Sequence, residues 1–518
     1  MGVKIRKIVA AALIIVFILA VAASAVYFLF TLSTPTLRLT GETAQTIEGF
    51  GVTGAWWAQE LDDPEFRSKI VDALFTDEGL NLNIYRYNVG GGEGDIPDSE
   101  ITTNRATESF LVYDPETRSY VYDFSRDANA YAVLTEALSP GHTVEQVILF
   151  ANSPHYSMTV SGSAIGQKQT HLLNLRQDAF YDYADYLVTI AEHFVAAGVP
   201  VSYISPINEP QWSWGGPDAV QEGCHYEPED VATLAEVLYY RMLDSSLPSA
   251  GVKMSLFESG SIVTADFEPY LKALAAKPHV MNAIDHMAVH SYHLDGKIKL
   301  REIGYDLINE YAAGKKVHMS EWCELPCAHN PDEIGGALVT SRTISNDLNY
   351  LNAVTWEAWK AFENIVQSNV AQPVVITPEN VRTGIIDGWG NDALLYGSTE
   401  TGELYFAKRY YALQHYSKFV VPGSVRLECR TGFTSAAFER LREYTMPVSA
   451  FRTPDGKTVV VITNTTGVER VLKAGDFAGK NVSVYRTDRD KNMQSVFVGQ
   501  TPNKLSIPAE SITTYVFE

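Results

Sequence analysis

The chain has 518 residues, with 40 Lys plus Arg against 62 Asp plus Glu and a formal charge of −22. Such a field repels phosphate backbones, and no basic run outside the first seven positions offsets it, so nucleic acid is not an expected partner. Apolar residues at 46% and charged residues at 20% exclude a disordered or fibrous chain, and the length allows two to four domains, or fewer if one is an α/β barrel.

Residues 1–35 differ from the rest. Lys4, Arg6 and Lys7 precede 23 apolar positions, 8–30, in which only Ser24 and Tyr27 carry a polar side-chain atom. The segment reads as membrane-targeting. Ala23-Ser24-Ala25 suits signal cleavage, but the run continues to Phe30, about the 20 residues that span a bilayer, which favours an uncleaved anchor over a cleaved signal. Basic residues before the run predict export of the remainder, to the cell surface or the extracellular space.

Eight β-rich apolar runs follow in order: residues 48–52, 82–89, 146–151, 201–207, 253–257, 284–290, 316–320 and 353–358. Helical periods lie between them. Phe66, Ile70, Ala73 and Leu74 share one face, as do Tyr183, Tyr186, Leu187, Ile190 and Phe194. Eight alternating units predict an α/β fold, a (β/α)8 TIM barrel over residues 46–420. Beyond a helix ending near Phe419 the pattern becomes antiparallel. Residues 448–452 and 458–463 flank the turn Pro454-Asp455-Gly456, and short strands follow at 482–485, 495–498 and 513–517. Residues 421–518 therefore read as a β-sandwich side domain, which a strand within 36–45 joins.

Four cysteines, Cys224, Cys323, Cys327 and Cys429, are too few for a disulfide scaffold; Cys323 with Cys327 or Cys224 are the candidates for a bond. Cys323, Cys327 and His329 lack a second ligand pair at zinc spacing. No metal or cofactor is expected.

In such a barrel the site lies at the C-terminal ends of the strands. The fourth run ends in Asn208-Glu209-Pro210 and the seventh in Ser320-Glu321-Trp322, which places two carboxylates on opposite sides of one mouth. That pair suits glycoside hydrolysis, one group protonating the leaving oxygen while the other attacks the anomeric carbon or activates water. Other strand ends carry what a sugar site uses: Trp56-Trp57, Arg86, Asn152, His290 with Tyr292, and Trp359; the loop 211–227 adds Trp212, Trp214 and His225 without a Lys or Arg. Competing motifs fail. Gly90-Gly91-Gly92-Glu93-Gly94 opens no helix, Gly456-Lys457-Thr458 lacks the upstream glycine of a P-loop, and no Gly-x-Ser-x-Gly elbow exists. His286 and His290 on one strand are about 13 Å apart, too far for one metal.

Asn208-Glu209-Pro210, Ser320-Glu321-Trp322, Glu48-Gly49-Phe50-Gly51, and the helix from Phe406 to Phe419 leading to Pro422-Gly423 together resemble glycoside hydrolase family 30, from about Thr36 to the end. The resemblance implies Glu209 as acid/base and Glu321 as nucleophile. It also implies that Asn208 holds the substrate 2-hydroxyl, Tyr292 orients Glu321, Arg86 supports its charge and Trp359 floors the −1 subsite. Trp56-Trp57, Asn152-Ser153-Pro154 and the stretch from Gly215 to His225 resemble the β-1,6-galactanase subfamily more than glucosylceramidases or glucuronoxylanases. The implied activity is retaining cleavage of β-1,6-galactan side chains. The alternatives are a xylanase, glucuronoxylanase, β-glucosidase or β-1,6-glucanase of the same family, or, in another class, a non-catalytic carbohydrate-binding protein. The expected partner is a polysaccharide or oligosaccharide, with membrane contact only through the N-terminal segment.

Overall fold

The computed structural model describes residues 14–16, 18, 21, 34–97, 99, 101, 105–326, 328–364, 392–431 and 443–518. The eight barrel strands are, in chain order, Gly49–Thr53, Ile84–Asn88, Gln146–Phe150, Val201–Ser205, Lys253–Ser259, Ile284–His290, Lys316–Trp322 and Ala353–Ala358. They pair in parallel and close into a barrel in which the eighth strand lies against the first. Being covered by helices outside and filled inside, they are buried on both faces, which is why they read as almost continuous apolar runs. The two helical faces read from the sequence are buried in the helices Pro64–Phe75 and Phe180–Ala196.

Alternation along each strand sorts the side chains. Tyr85, Tyr87, Val147, Leu149 and Ile204 face the helices in the main core, while Ile84, Ile148 and Tyr203 form a separate cluster. Near the N-terminal ends of their strands, His286 and His318 stack with ring centres 3.4 Å apart, and Tyr203 meets His286 edge-on at 4.6 Å. Above them the buried side chains become polar: Arg86, Glu258, Glu357, Ser205 and Ser320 have almost no solvent contact.

The side domain is a seven-stranded sheet in the order Arg38–Thr46, Val425–Arg430, Val448–Arg452, Thr458–Asn464, Ser511–Phe517, Asn481–Thr487, Gln494–Gln500, with the pair Arg470–Lys473 and Lys504–Ile507 beside it. The strand before the barrel thus pairs antiparallel with Val425–Arg430. The contact with the barrel helices Ile334–Tyr350 and Lys408–Ser417 is hydroxyl-rich: Ser341 meets Thr463 at 2.6 Å, Ser345 meets Ser449 at 2.8 Å, and His415 lies between Thr514 and Thr487 at 2.7 and 2.9 Å. Lys408 Nζ donates to Asp488 O and Asn492 Oδ1 at 2.9 and 2.7 Å, fastening the last helix to a sandwich loop.

Most of the N-terminal apolar run and Cys327 fall outside the described residues. Among the described residues no helix is long and apolar enough to cross a membrane. Cys224 is not bridged to Cys323: it is a buried free thiol directed at the His225 carbonyl at 3.6 Å.

Candidate active site

Glu209 and Glu321 meet at the barrel mouth. One carboxylate oxygen of each and one ring nitrogen of His290 all lie within 4.8 Å of one another. Glu321 accepts hydrogen bonds on both oxygens, from Arg86 Nη1 at 3.0 Å and Tyr292 Oη at 3.0 Å. Burial pushes its carboxyl above the ordinary range, against the pull of His290 and Arg86. Arg86 is itself fully buried, with its guanidinium 4.0 Å over the Phe150 ring.

Glu209 sits at φ 46°, the left-handed region that carboxylate-bearing residues enter only when their surroundings over-determine it. Its amide donates to the Glu258 carbonyl at 2.9 Å, and its own carbonyl accepts from Trp214 Nε1 at 3.0 Å. These bonds turn the side chain toward His290, whose Nδ1 lies 2.8 Å from Glu209 Oε1 and 3.6 Å from Glu321 Oε1.

Beneath this pair lies a third carboxylate absent from the sequence reading. Glu258, 0% exposed, accepts from Ser205 Oγ at 2.7 Å and from Ser320 Oγ, faces His290 Nε2 at 3.2 Å and Arg86 Nη2 at 3.4 Å. Burial alone would raise its carboxyl, but Arg86, His290 and Ser320 outweigh it and hold it at about 2. For His290, burial opposes charge, yet Glu321, Glu209 and Glu258 hold the ring up to about 10. Glu357, with Thr355 Oγ1 at 3.2 Å on one oxygen and no hydrogen-bond partner on the other, is pushed up by burial to about 8 and stays neutral near pH 7. The sequence signal for Glu357 was a charged residue inside an apolar strand. For Glu258 it was a carboxylate ending a strand, as at Glu209 and Glu321.

Trp359 and Trp56 form one wall, edge to face at 4.9 Å, packed with Phe150, Cys323 and Tyr292. Asn152 Nδ2 donates to Asn88 at 3.3 Å. Trp56 Nε1, Asn152 Oδ1 and Asn208 Oδ1 are buried with no hydrogen-bond partner. Trp212, 38% exposed, stands beside Glu209 across Gly260.

Two residues expected at the sugar are elsewhere. Trp57, 1% exposed, belongs to the core behind the first strand, and its Nε1 is spent on the Thr53 carbonyl at 2.7 Å. His225 is turned into its own loop, Nδ1 on the Trp212 carbonyl at 3.1 Å and Nε2 on Glu227 at 3.3 Å, leaving no ring nitrogen for a hydroxyl. The loop is anchored by Glu222, which accepts from the amides of Gly91 and Glu93 at 2.9 and 3.0 Å and from Thr107 Oγ1 at 2.7 Å. The glycine-rich segment after the second strand is therefore a docking point for that loop. His329 is paired with Glu324. Among the described residues, Glu209, His290 and Glu321 are the one group of three that converges as metal ligands would; Nδ1 of His290 faces Glu209 and Nε2 faces Glu258.

This barrel, its carboxylate pair and its sandwich are those of a family of hydrolases. Residues 36–269 match O-Glycosyl hydrolase family 30, and residues 423–515 match the Glycosyl hydrolase family 30 beta sandwich domain. The two matches take in well over half of the chain, and the chain belongs to glycoside hydrolase family 30. It is 27% identical over 344 residues to an endo-beta-1,6-galactanase of Hypocrea rufa, covering 61% of this chain and 65% of that protein. It is 24% identical over 434 residues to an exo-beta-1,6-galactobiohydrolase of Bifidobacterium longum subsp. longum, covering 66% of this chain and 28% of that protein. The chain thus spans less than two thirds of either relative. A solved conserved exported protein from Bacteroides fragilis has the same fold, with TM-score 0.78, 23% identity, and 93% and 100% of the two chains covered.

Proposed function

We propose that the protein is a retaining glycoside hydrolase of β-1,6-linked galactan, working at the cell surface or outside the cell. The observation that carries the chemistry is the convergence of Glu209 and Glu321, one oxygen of each lying within 4.8 Å of the other and of a His290 ring nitrogen. Retention uses carboxyl groups about 5–5.5 Å apart, whereas inversion needs about 6.5–9.5 Å to seat a water. The roles follow from the partners. Glu321, which accepts from both Arg86 and Tyr292, is positioned as the nucleophile, and Glu209, which neither of them touches, is the acid/base. Glu209 gives its proton to the departing glycosidic oxygen as Glu321 forms an ester with the anomeric carbon. Water then delivers hydroxide to that carbon and its proton to Glu209, freeing Glu321. The partnerless atoms of Trp56, Asn152 and Asn208 supply hydrogen bonds for sugar hydroxyls.

A neutral galactan fits the loop 211–227, which contains no Lys or Arg, and the printed activities of the two relatives point the same way. Export is supported by the basic-then-apolar N-terminal segment. The test is a panel of debranched arabinogalactan, glucuronoxylan, β-1,6-glucan and glucosylceramide, with the anomeric configuration of the first product followed by NMR. Short β-1,6-galacto-oligosaccharides released as β-anomers are expected. Rapid cleavage of glucuronoxylan or glucosylceramide with none of galactan overturns the substrate, and α-anomers overturn the mechanism.

A further inference from the structure

The buried layer under the catalytic pair contains more acid than the reaction uses. Glu209 and Glu321 suffice for double displacement, yet Glu258 lies directly below them without solvent contact. Its placement is specific. Oε2 faces both Arg86 Nη2 at 3.4 Å and His290 Nε2 at 3.2 Å and accepts from Ser320, while Oε1 accepts from Ser205 at 2.7 Å. Glu258 therefore touches each of the two basic groups that touch the catalytic carboxylates, Arg86 beside Glu321 and His290 beside Glu209.

A neutral imidazole carries one N–H, and its other nitrogen can only accept. In this structure both ring nitrogens of His290 face carboxylate oxygens, which cannot donate when ionised. The groups that face the ring are Glu209 after the fourth strand, Glu258 on the fifth and Glu321 on the seventh, with Glu357 on the eighth and Arg86 on the second nearby; of these Glu258, paired with Arg86, is the carboxylate held ionised.

We propose that Glu258 is a positioning residue of the hydrolysis: it holds the second ring proton of His290, so that an imidazolium keeps Nδ1–H between Glu209 and Glu321 through both half-reactions. The inference rests on the two-carboxylate reading. Before glycosylation the N–H is shared by the anionic Glu321 and the acid Glu209. Once Glu321 is esterified its charge is gone, and the same N–H belongs to Glu209, which must now be ionised to act as base. The imidazolium gains and loses no proton; it changes the partner it favours. The high titration range of His290, near 10, agrees with a ring that stays charged across the working range. Glu258 acts through His290 as a carboxylate does when it orients an imidazole from behind; for the partners of metal-ligating histidines, the nearest parallel, removal costs about ten- to a hundredfold.

The test uses the full chain labelled with ¹⁵N-histidine, the His290 signals being identified by their absence in His290→Gln. In the unsubstituted protein both ring nitrogens are expected to remain protonated at pH 8.5; a neutral His290 there overturns the proposal without any Glu258 variant. In Glu258→Gln the ring is expected to titrate at least one pH unit lower, with kcat/KM on an aryl β-galactoside down about tenfold or more. Glu258→Asp should keep the imidazolium and recover part of the rate. Loss of activity in Glu258→Gln with an unmoved His290 titration means a packing role and overturns the proposal. Absence of activity in the unsubstituted protein on every β-linked substrate instead overturns the glycosidase reading, and the titration still decides the state of His290.

Discussion

Gly260→Ala adds a methyl group to the site while removing no catalytic atom. An added Cβ would lie 2.4 Å from Trp212 Nε1 and 3.0 Å from both Cγ and Cδ of Glu209, where ordinary carbon contacts are about 3.5–4.0 Å. The Glu209 carboxyl must retreat by at least about half an ångström, and the Trp212 indole by about 1 Å. A misplacement of about 1 Å can cost about a hundredfold in rate, so the acid step is expected to fall by about ten- to a hundredfold, or about 1.4–2.7 kcal/mol. The assay compares kcat/KM, which reports glycosylation, for two substrates. β-1,6-Galactobiose needs its leaving oxygen protonated and should show the full loss. A 2,4-dinitrophenyl β-galactoside does not, and should change by no more than about threefold. Equal losses on both substrates, or none on either, would refute the placement of Glu209 as the acid beside Gly260.

Glu209→Ala should keep glycosylation by the dinitrophenyl substrate and yield a β-glycosyl azide when azide is added, whereas Glu321→Ala should give at most the α-azide, read by NMR of the products; the reverse pattern exchanges the roles. Glu357, Glu222 and Asp127 are buried and raised to about 8, 7 and 7, from ordinary values of 4.5, 4.5 and 3.8, so unfolding releases protons and stability falls as pH rises from about 5 to 8. His290, raised to about 10 from 6.5, contributes stability that is complete below 6.5 and lost as pH passes 10, while Glu258, lowered to about 2 from 4.5, contributes stability lost as pH falls between those values. Thermal midpoints measured across pH should therefore peak near pH 5, and Glu357→Gln should flatten the decline toward pH 8. Trp212→Ala, removing a ring 38% exposed at the cleft, should raise KM on galactan by about three- to tenfold at unchanged kcat. Asp347 accepts from Arg301, Ser291 and Trp356 at 2.6, 2.9 and 3.0 Å; Asp347→Ala leaves Arg301 buried without its counter-charge and should cost about 3–5 kcal/mol in urea unfolding.

The barrel was legible because its strands are covered on both faces, which writes each one as a contiguous apolar run. Glu209 and Glu321 were legible because they interrupt such runs at the mouth. Glu258 occupies the same kind of position, but its strand runs on to Ser259 through a register shift between Leu256 and Ser259. Leu256 and Phe257 both join the core, so simple alternation gives the wrong residue to the interior. Trp56 and Trp57 are adjacent and chemically alike; only the turn after the first strand decides that one lines the pocket wall and the other packs behind it. His225 and Glu222 were obscured for a related reason. Loop residues take their roles from partners distant in sequence, here the segment around Gly91, and no local pattern records them.

The strand Arg38–Thr46 enters the sandwich before the first barrel strand begins at Gly49, and its neighbour, Val425–Arg430, comes only after the barrel is complete. The catalytic domain is therefore an insertion into the side domain. A chain made from its N-terminus carries this strand without its sheet partner throughout barrel synthesis, its N–H and C=O groups open to other strands until residues 425–430 are made. Cutting the chain before residue 425 would remove no independent module: it would strand residues 38–46 and bare the hydroxyl-lined faces of two barrel helices. Engineers seeking a smaller enzyme should permute the chain so that the sandwich is contiguous, rather than truncate it.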